Sequence, residues 1–204
     1  MTTSCLGVVL AGGAGSRVGG ADKGLLPLQR RTLIACVLDA LRPQCDALLV
    51  VANRNMDEYS RHAKTIRDEG EGHAGPLAGI VAALVHSNAD AASPDPSGWM
   101  LTVPVDCPEP PPDLRDLLQS ELDQSPDADC AFAHDGDGVQ PLFALYRLSQ
   151  REALLANART ALRSHASVVR WQEEIAARAV DFSGRRDAFH NLNTPQDFRG
   201  YGRA

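Results

Sequence analysis

Three short runs in this chain are apolar almost throughout: Leu6–Leu10 (LGVVL), Ala47–Ala52 (ALLVVA) and Trp99–Val105 (WMLTVPV). A strand with one solvated face alternates apolar and polar residues, so runs without a polar face have to be covered on both sides. The cover is encoded between them. Thr32–Leu41 (TLIACVLDAL) repeats its apolar residues at helical spacing and stops at Arg42-Pro43. Gly75-Pro76 opens a second helix over Leu77–His86, with proline in the first turn, where a missing N–H costs nothing. A third helix is expected over Asp113–Leu122, after the prolines at 110–112. Cys130–His134 and Pro141–Tyr146 read as strands joined by the turn Asp135–Gly138. The C-terminal third reads as helical to about Glu174, with a strand near Ala179–Phe182, and Ser87–Gly98 as a polar surface loop. Strands alternating with helices predict an α/β fold with a mostly parallel central sheet and helices on both faces. With no internal repeat and no dividing linker, the 204 residues are expected to form one domain, 1–204.

Ligands of such sheets collect beyond the carboxyl ends of the strands. That rule selects the loop after the first run, Asn53 after the second and Asp106 after the third. The loop, within Val8–Leu26 (VVLAGGAGSRVGGADKGLL), is rich in glycine. It is not a dinucleotide fingerprint, because Val18 stands where the third glycine of G-x-G-x-x-G belongs. It is not a P-loop either, since Lys23 follows Asp22 and precedes Gly24. What remains is a flexible turn or a backbone cradle for a phosphate chain, and Arg17 and Lys23 within the loop favour the cradle. Lys23 and Lys64 are the only lysines, every other basic side chain apart from histidine being arginine.

A net charge of −6 and 5% aromatic residues argue against a nucleic-acid surface, which needs a basic face and stacking platforms. Five cysteines, an odd number without C-x-x-C spacing, argue against a disulfide framework or zinc site and for a reducing cytoplasm. The N-terminus lacks a signal-peptide pattern, and no apolar run is long enough to span a membrane.

The loop L-A-G-G-x-x-x-R-x-G-x-x-D-K resembles the signature of nucleotidyltransferases. Within that superfamily the chain is most similar to the molybdenum cofactor guanylyltransferases. The likeness runs through V-V-L-A-G-G at 8–13, G-G-A-D-K-G-L-L at 19–26, A-N-R at 52–54, G-P-L-A-G at 75–79, P-V-D-C-P at 104–108 with P-P-D-L at 111–114, and H-D-G at 134–136. The segments A-V-D-F-S at 179–183 and N-L-N-T-P at 191–195 favour the molybdenum branch. Two positions depart from the family pattern: Val18, where methionine is usual, and Pro141, in the segment expected to touch the pterin.

The resemblance implies a Rossmann-like nucleotidyltransferase fold and transfer of GMP from GTP to the terminal phosphate of molybdopterin, with release of pyrophosphate. It implies Mg²⁺ held by Asp106, the triphosphate held by Arg17 and Lys23, and backbone contacts from Leu10, Ala11, Gly12 and Gly13 to guanine and ribose. Asn53 and Asp68 are implied as further nucleotide contacts, His134 as the pterin side, and Asn191 and Asn193 as the pterin side or a second metal contact through a carboxamide oxygen. For Asn193, capping of a helix at Thr194-Pro195 competes with that role, and Cys107 reads as packing rather than as a nucleophile. The implied partners are GTP and molybdopterin, with transient contacts to cofactor-synthesis proteins and molybdoenzyme chaperones. CTP or a sugar-phosphate acceptor, and a non-catalytic nucleotide sensor, remain alternatives.

Overall fold

The computed structural model describes residues 4–12, 22–68, 75–87 and 97–201. In chain order these form β1 (Cys5–Leu10), β2 (Pro27–Leu28), β3 (Arg31–Thr32), α1 (Leu33–Leu41), β4 (Ala47–Val51), α2 (Met56–Ser60), β5 (Lys64–Ile66) and α3 (Pro76–His86). Then come β6 (Trp99–Pro104), α4 (Leu114–Gln124), β7 (Cys130–His134), β8 (Val139–Arg147), α5 (Arg151–Arg163), α6 (Val168–Glu174), β9 (Arg178–Asp181) and α7 (Pro195–Gly200). Short 3₁₀ turns occupy Lys23–Leu25, Leu148–Gln150 and Ser183–Phe189.

Among the described residues one seven-stranded sheet has the order β5-β4-β1-β6-β8-β7-β9, and β2 and β3 make a separate ribbon. Each neighbouring pair is parallel except β6–β8 and β7–β8, so β8 alone runs against the rest. From β1 the chain first builds outward through β4 to β5 and then returns to place β6 on the other side of β1. The strand order therefore reverses at β1, which opens a crevice at its carboxyl end.

The apolar runs behave as two-faced strands. Along β1, Cys5 and Val9 enter the core shared with α1 and α4, while Leu6, Val8 and Leu10 enter the core beneath α3, α5 and α6. Full burial of side chains this size contributes about 1.5–3 kcal/mol each. Helix α1 buries Leu33, Ile34, Val37, Leu38 and Leu41, a single helical stripe. Helix α3 is buried over Leu77–Leu84, wedged between the sheet and α5. It starts at Gly75, whose φ of 73° lies in the left-handed region that favours glycine, followed by Pro76 in the first turn.

The expected mostly parallel sheet with helices on both faces is present. The C-terminal helical region is two helices, broken around His165 (φ 56°) and restarted where the Ser167 hydroxyl accepts from the Arg170 N–H. The stretch after β4 holds α2 and the edge strand β5, neither of which is expected from the sequence. Most of Ser87–Gly98 lies outside the described residues.

Candidate active site

Because the sheet is nearly parallel, its carboxyl edge gathers the ends of six strands. Read across it, Asp68 follows β5, Asn53 follows β4, Gly12 follows β1, Asp106 follows β6, His134 ends β7 and Asp181 ends β9. Strand β8 lies between β6 and β7, so His134 stands two strand spacings, roughly 10 Å, from the strand that carries Asp106. Arg17 and Gly13 lie outside the described residues.

Lys23 is the centre of this edge. Its ammonium donates to Asp106 Oδ2 at 3.1 Å and to Asn193 Oδ1 at 2.8 Å, joining residues 83 and 170 positions apart. The flanking residues explain its placement. On one side, Asp22 accepts the Tyr59 hydroxyl on Oδ1 (2.5 Å) and the Asn55 carboxamide on Oδ2 (3.0 Å). On the other, Gly24 is packed so closely that a Cβ there would meet the Tyr59 hydroxyl and would lie 2.8 Å from Val105 Cγ2. Only glycine fits, and the chain is pinned on both sides of the lysine.

Asp106 is brought in by β6, and its position is fixed by the backbone: its carbonyl accepts from the Leu192 N–H at 2.8 Å. That bond draws the 191–193 segment to the site. Oδ1 of Asp106 and Oδ1 of Asn191 are both buried, and neither accepts a hydrogen bond from a described residue. Such orphaned oxygens are costly unless something else occupies them. Two oxygens of this kind, one from a carboxylate, suit Mg²⁺, a hard cation that takes one or two carboxylates and completes its shell with water and substrate phosphate. No group of three or more His, Cys, Asp or Glu stands together among the described residues.

Capping by Asn193 does not occur. Thr194 is the N-cap of α7, its hydroxyl accepting from the Asp197 N–H while the Asp197 carboxylate accepts from the Thr194 N–H, a capping box. Asp197 also takes the Asn193 N–H at 2.7 Å. With its backbone held in this way, the Asn193 side chain is free to turn toward Lys23.

On the other flank, Asn53 and Asp68 hold each other. Asn53 Nδ2 donates to Asp68 Oδ2 at 2.5 Å and Asn53 Oδ1 accepts the Asp68 N–H at 3.2 Å. A Cβ on Gly12 would lie 3.6 Å from that carboxylate and 3.7 Å from the Asn53 carboxamide, which puts the first loop glycine beside the pair. Ala11 differs from the expectation of a base contact in one respect: its N–H is committed to the Val51 carbonyl at 2.8 Å and cannot donate to a base. The Leu10 carbonyl accepts from the Val105 N–H at 3.1 Å. At the far flank, His134 Nδ1 accepts the Gly136 N–H within its own turn.

Cys107 is buried, its thiol donates to the Ala188 carbonyl at 3.1 Å, and burial pushes its pKa up to about 12. A thiol so held stays protonated at neutral pH and is no nucleophile. Asp22, Asn55, Tyr59 and Gly24 were not among the residues expected from sequence. The available signal was Tyr59, a single large aromatic in the mostly polar stretch Asn53–His62.

The MobA-like NTP transferase domain matches residues 7–175. Molybdenum cofactor guanylyltransferase of Vibrio vulnificus is 37% identical over 195 residues, covering 96% of this chain and 93% of that one. The enzyme of the same name from Vibrio cholerae is 38% identical over 200 residues, covering 96% and 90%. The chain belongs to the molybdenum cofactor guanylyltransferase family. The solved structure of molybdopterin-guanine dinucleotide biosynthesis protein A from Archaeoglobus fulgidus superposes with a TM-score of 0.71 at 25% identity, over 95% of both chains. Membership of this family makes the chain a nucleotidyltransferase, with the fold its sheet already displays. No helix among the described residues is long and apolar enough to cross a membrane.

Proposed function

We propose that the chain transfers GMP from GTP to the terminal phosphate of molybdopterin, giving the guanine dinucleotide form of the cofactor and pyrophosphate. The observation that carries the reading is the Lys23 ammonium bridging Asp106 and Asn193 at the carboxyl edge, in a chain of this family. An oxygen of the molybdopterin phosphate attacks the α-phosphorus of GTP, and the bond from that phosphorus to the bridging oxygen of the β-phosphate breaks. Side chains need supply no nucleophile, and the state of Cys107 agrees. Their work is positioning and neutralisation of charge.

Lys23 would meet the triphosphate as a mobile point charge, exchanging one of its present acceptors for a phosphate oxygen. Arg17 would bind another part of the same chain. Asp106 and Asn191 would hold Mg²⁺ through the two orphaned oxygens, and the ion would spread the negative charge of the triphosphate and of the departing pyrophosphate. Gly12, Gly13 and the Asn53–Asp68 pair would face guanine and ribose, with Leu10 and Ala11 contributing carbonyls. His134 and Asn193 would lie toward the pterin. We read residues 1–204 as one cytoplasmic domain that meets cofactor-synthesis proteins and molybdoenzyme chaperones transiently. Incubating the protein with Mg²⁺, molybdopterin and either GTP or CTP while measuring pyrophosphate tests the assignment. Preference for CTP, or release without molybdopterin, would overturn it.

A further inference from the structure

Lys23 has Asp22 beside it in the chain, yet its ammonium goes to Asp106 and Asn193. Asp22 is taken up elsewhere: Tyr59 Oη donates to Oδ1 and Asn55 Nδ2 donates to Oδ2. Both donors come from the short segment around α2, which packs against the edge strand β5. Asn55 adopts a left-handed conformation (φ 51°, ψ 35°), one that asparagine tolerates better than most residues. Tyr59 is 0% exposed, a large buried side chain with its hydroxyl directed at the loop. Burial, and then the neighbouring Asp22 carboxylate, push the Tyr59 hydroxyl well above its ordinary value, so it remains a donor. The Tyr59 ring and hydroxyl also form the wall against which Gly24 lies. One tyrosine therefore fixes the residue before Lys23 and the residue after it.

We propose that Tyr59 and Asn55, acting through Asp22, are positioning residues that aim Lys23 at the phosphate site. The proposal rests on the reading of Lys23 as a triphosphate contact, but the orientation itself can be measured without substrate. Only Lys23 and Lys64 carry side-chain amines, and Lys64 is exposed, so their modification rates report the two environments separately. In Tyr59→Phe the ring that walls in Gly24 is kept and only the hydroxyl is lost. Reductive methylation with formaldehyde and borohydride, followed residue by residue by mass spectrometry, should be several-fold faster at Lys23 than in the parent and unchanged at Lys64.

Turnover of GTP should fall by about 10- to 100-fold, the range expected when a charged group is misplaced by an ångström or less. In a Lys23→Ala background the same substitution should cost nothing further, since the effect passes through the lysine. Asp22→Asn, which keeps the shape and removes the charge, serves if Tyr59→Phe does not fold, and should also speed Lys23 methylation. An unchanged Lys23 rate in the folded variant, or losses that multiply in the double variant, would overturn the proposal. A parent protein that methylates as expected but releases no pyrophosphate from GTP would overturn the functional reading instead.

Discussion

Replacing Asp106 by alanine should separate stability from chemistry. Two effects on folding oppose each other. The pair with Lys23 spans 3.1 Å with side chains 18% and 23% exposed, and a partly solvated pair of this kind contributes about 1 kcal/mol. Against it stands Oδ1, buried without a hydrogen bond from any described residue, and an unsatisfied buried acceptor costs about 1–3 kcal/mol. The sum runs from near zero to about 2 kcal/mol of stabilisation, so the thermal midpoint should not fall and should rise by no more than about 8 °C, each kcal/mol giving about 2–4 °C in a chain of this size. Turnover should fall by about 10²–10³ or more, equivalent to about 2.7–4 kcal/mol of transition-state stabilisation. Scanning fluorimetry with and without Mg²⁺ and GTP adds a readout independent of chemistry. At ten times its dissociation constant a ligand stabilises by about 1.4 kcal/mol, and the variant should lose most of that gain. A variant with parental turnover would refute the metal assignment. One that melts more than about 10 °C lower would show that the carboxylate belongs to the fold and not to the site.

Gly24→Ala should destabilise by about 1–3 kcal/mol, because its Cβ would press on Tyr59 and Val105, and should lower turnover as well; a urea titration beside the pyrophosphate assay checks both. Thr194→Ala should cost about 1 kcal/mol of stability through loss of the cap, while Asn193→Ala should cost turnover and little stability; the reverse pattern would return Asn193 to a capping role. Asp197 is held below the ordinary carboxylate range, chiefly by the Thr194 backbone N–H. A depressed folded value means that its stabilisation is present above the unfolded value near 4 and is lost as pH falls through the folded one. The drop in urea midpoint between neutral pH and about pH 3 should therefore be shallower in Asp197→Asn than in the parent.

The sequence made the sheet legible because its central strands have no solvated face: Val8, Val9, Val50 and Val103 cannot be placed anywhere but in a core. Asp106 could be picked out for the same reason, as the first charged residue after such a strand. The α2–β5 segment was not legible. Its helix is five residues long and its strand three, at an edge with a partly exposed pattern, too short for either period to register. The positioning of Lys23 was hidden with it, since Tyr59 and Asn55 lie more than thirty residues from the loop they hold. Asn193 shows the limit of local chemistry in another way. An asparagine before Thr-Pro looks like a cap, but the capping box one residue later takes that role and leaves the carboxamide for Lys23.

The central claim is that this edge of the sheet joins GMP to a pterin phosphate with Lys23 and Asp106 bearing the charge. It is tested most directly by following pyrophosphate and dinucleotide together, with purified protein, molybdopterin, Mg²⁺ and GTP or CTP. Equal amounts of pyrophosphate and guanine dinucleotide are expected from GTP, with much slower reaction from CTP and a loss of about 10²-fold or more in Lys23→Ala. Faster reaction with CTP, or full activity without the lysine, would contradict it.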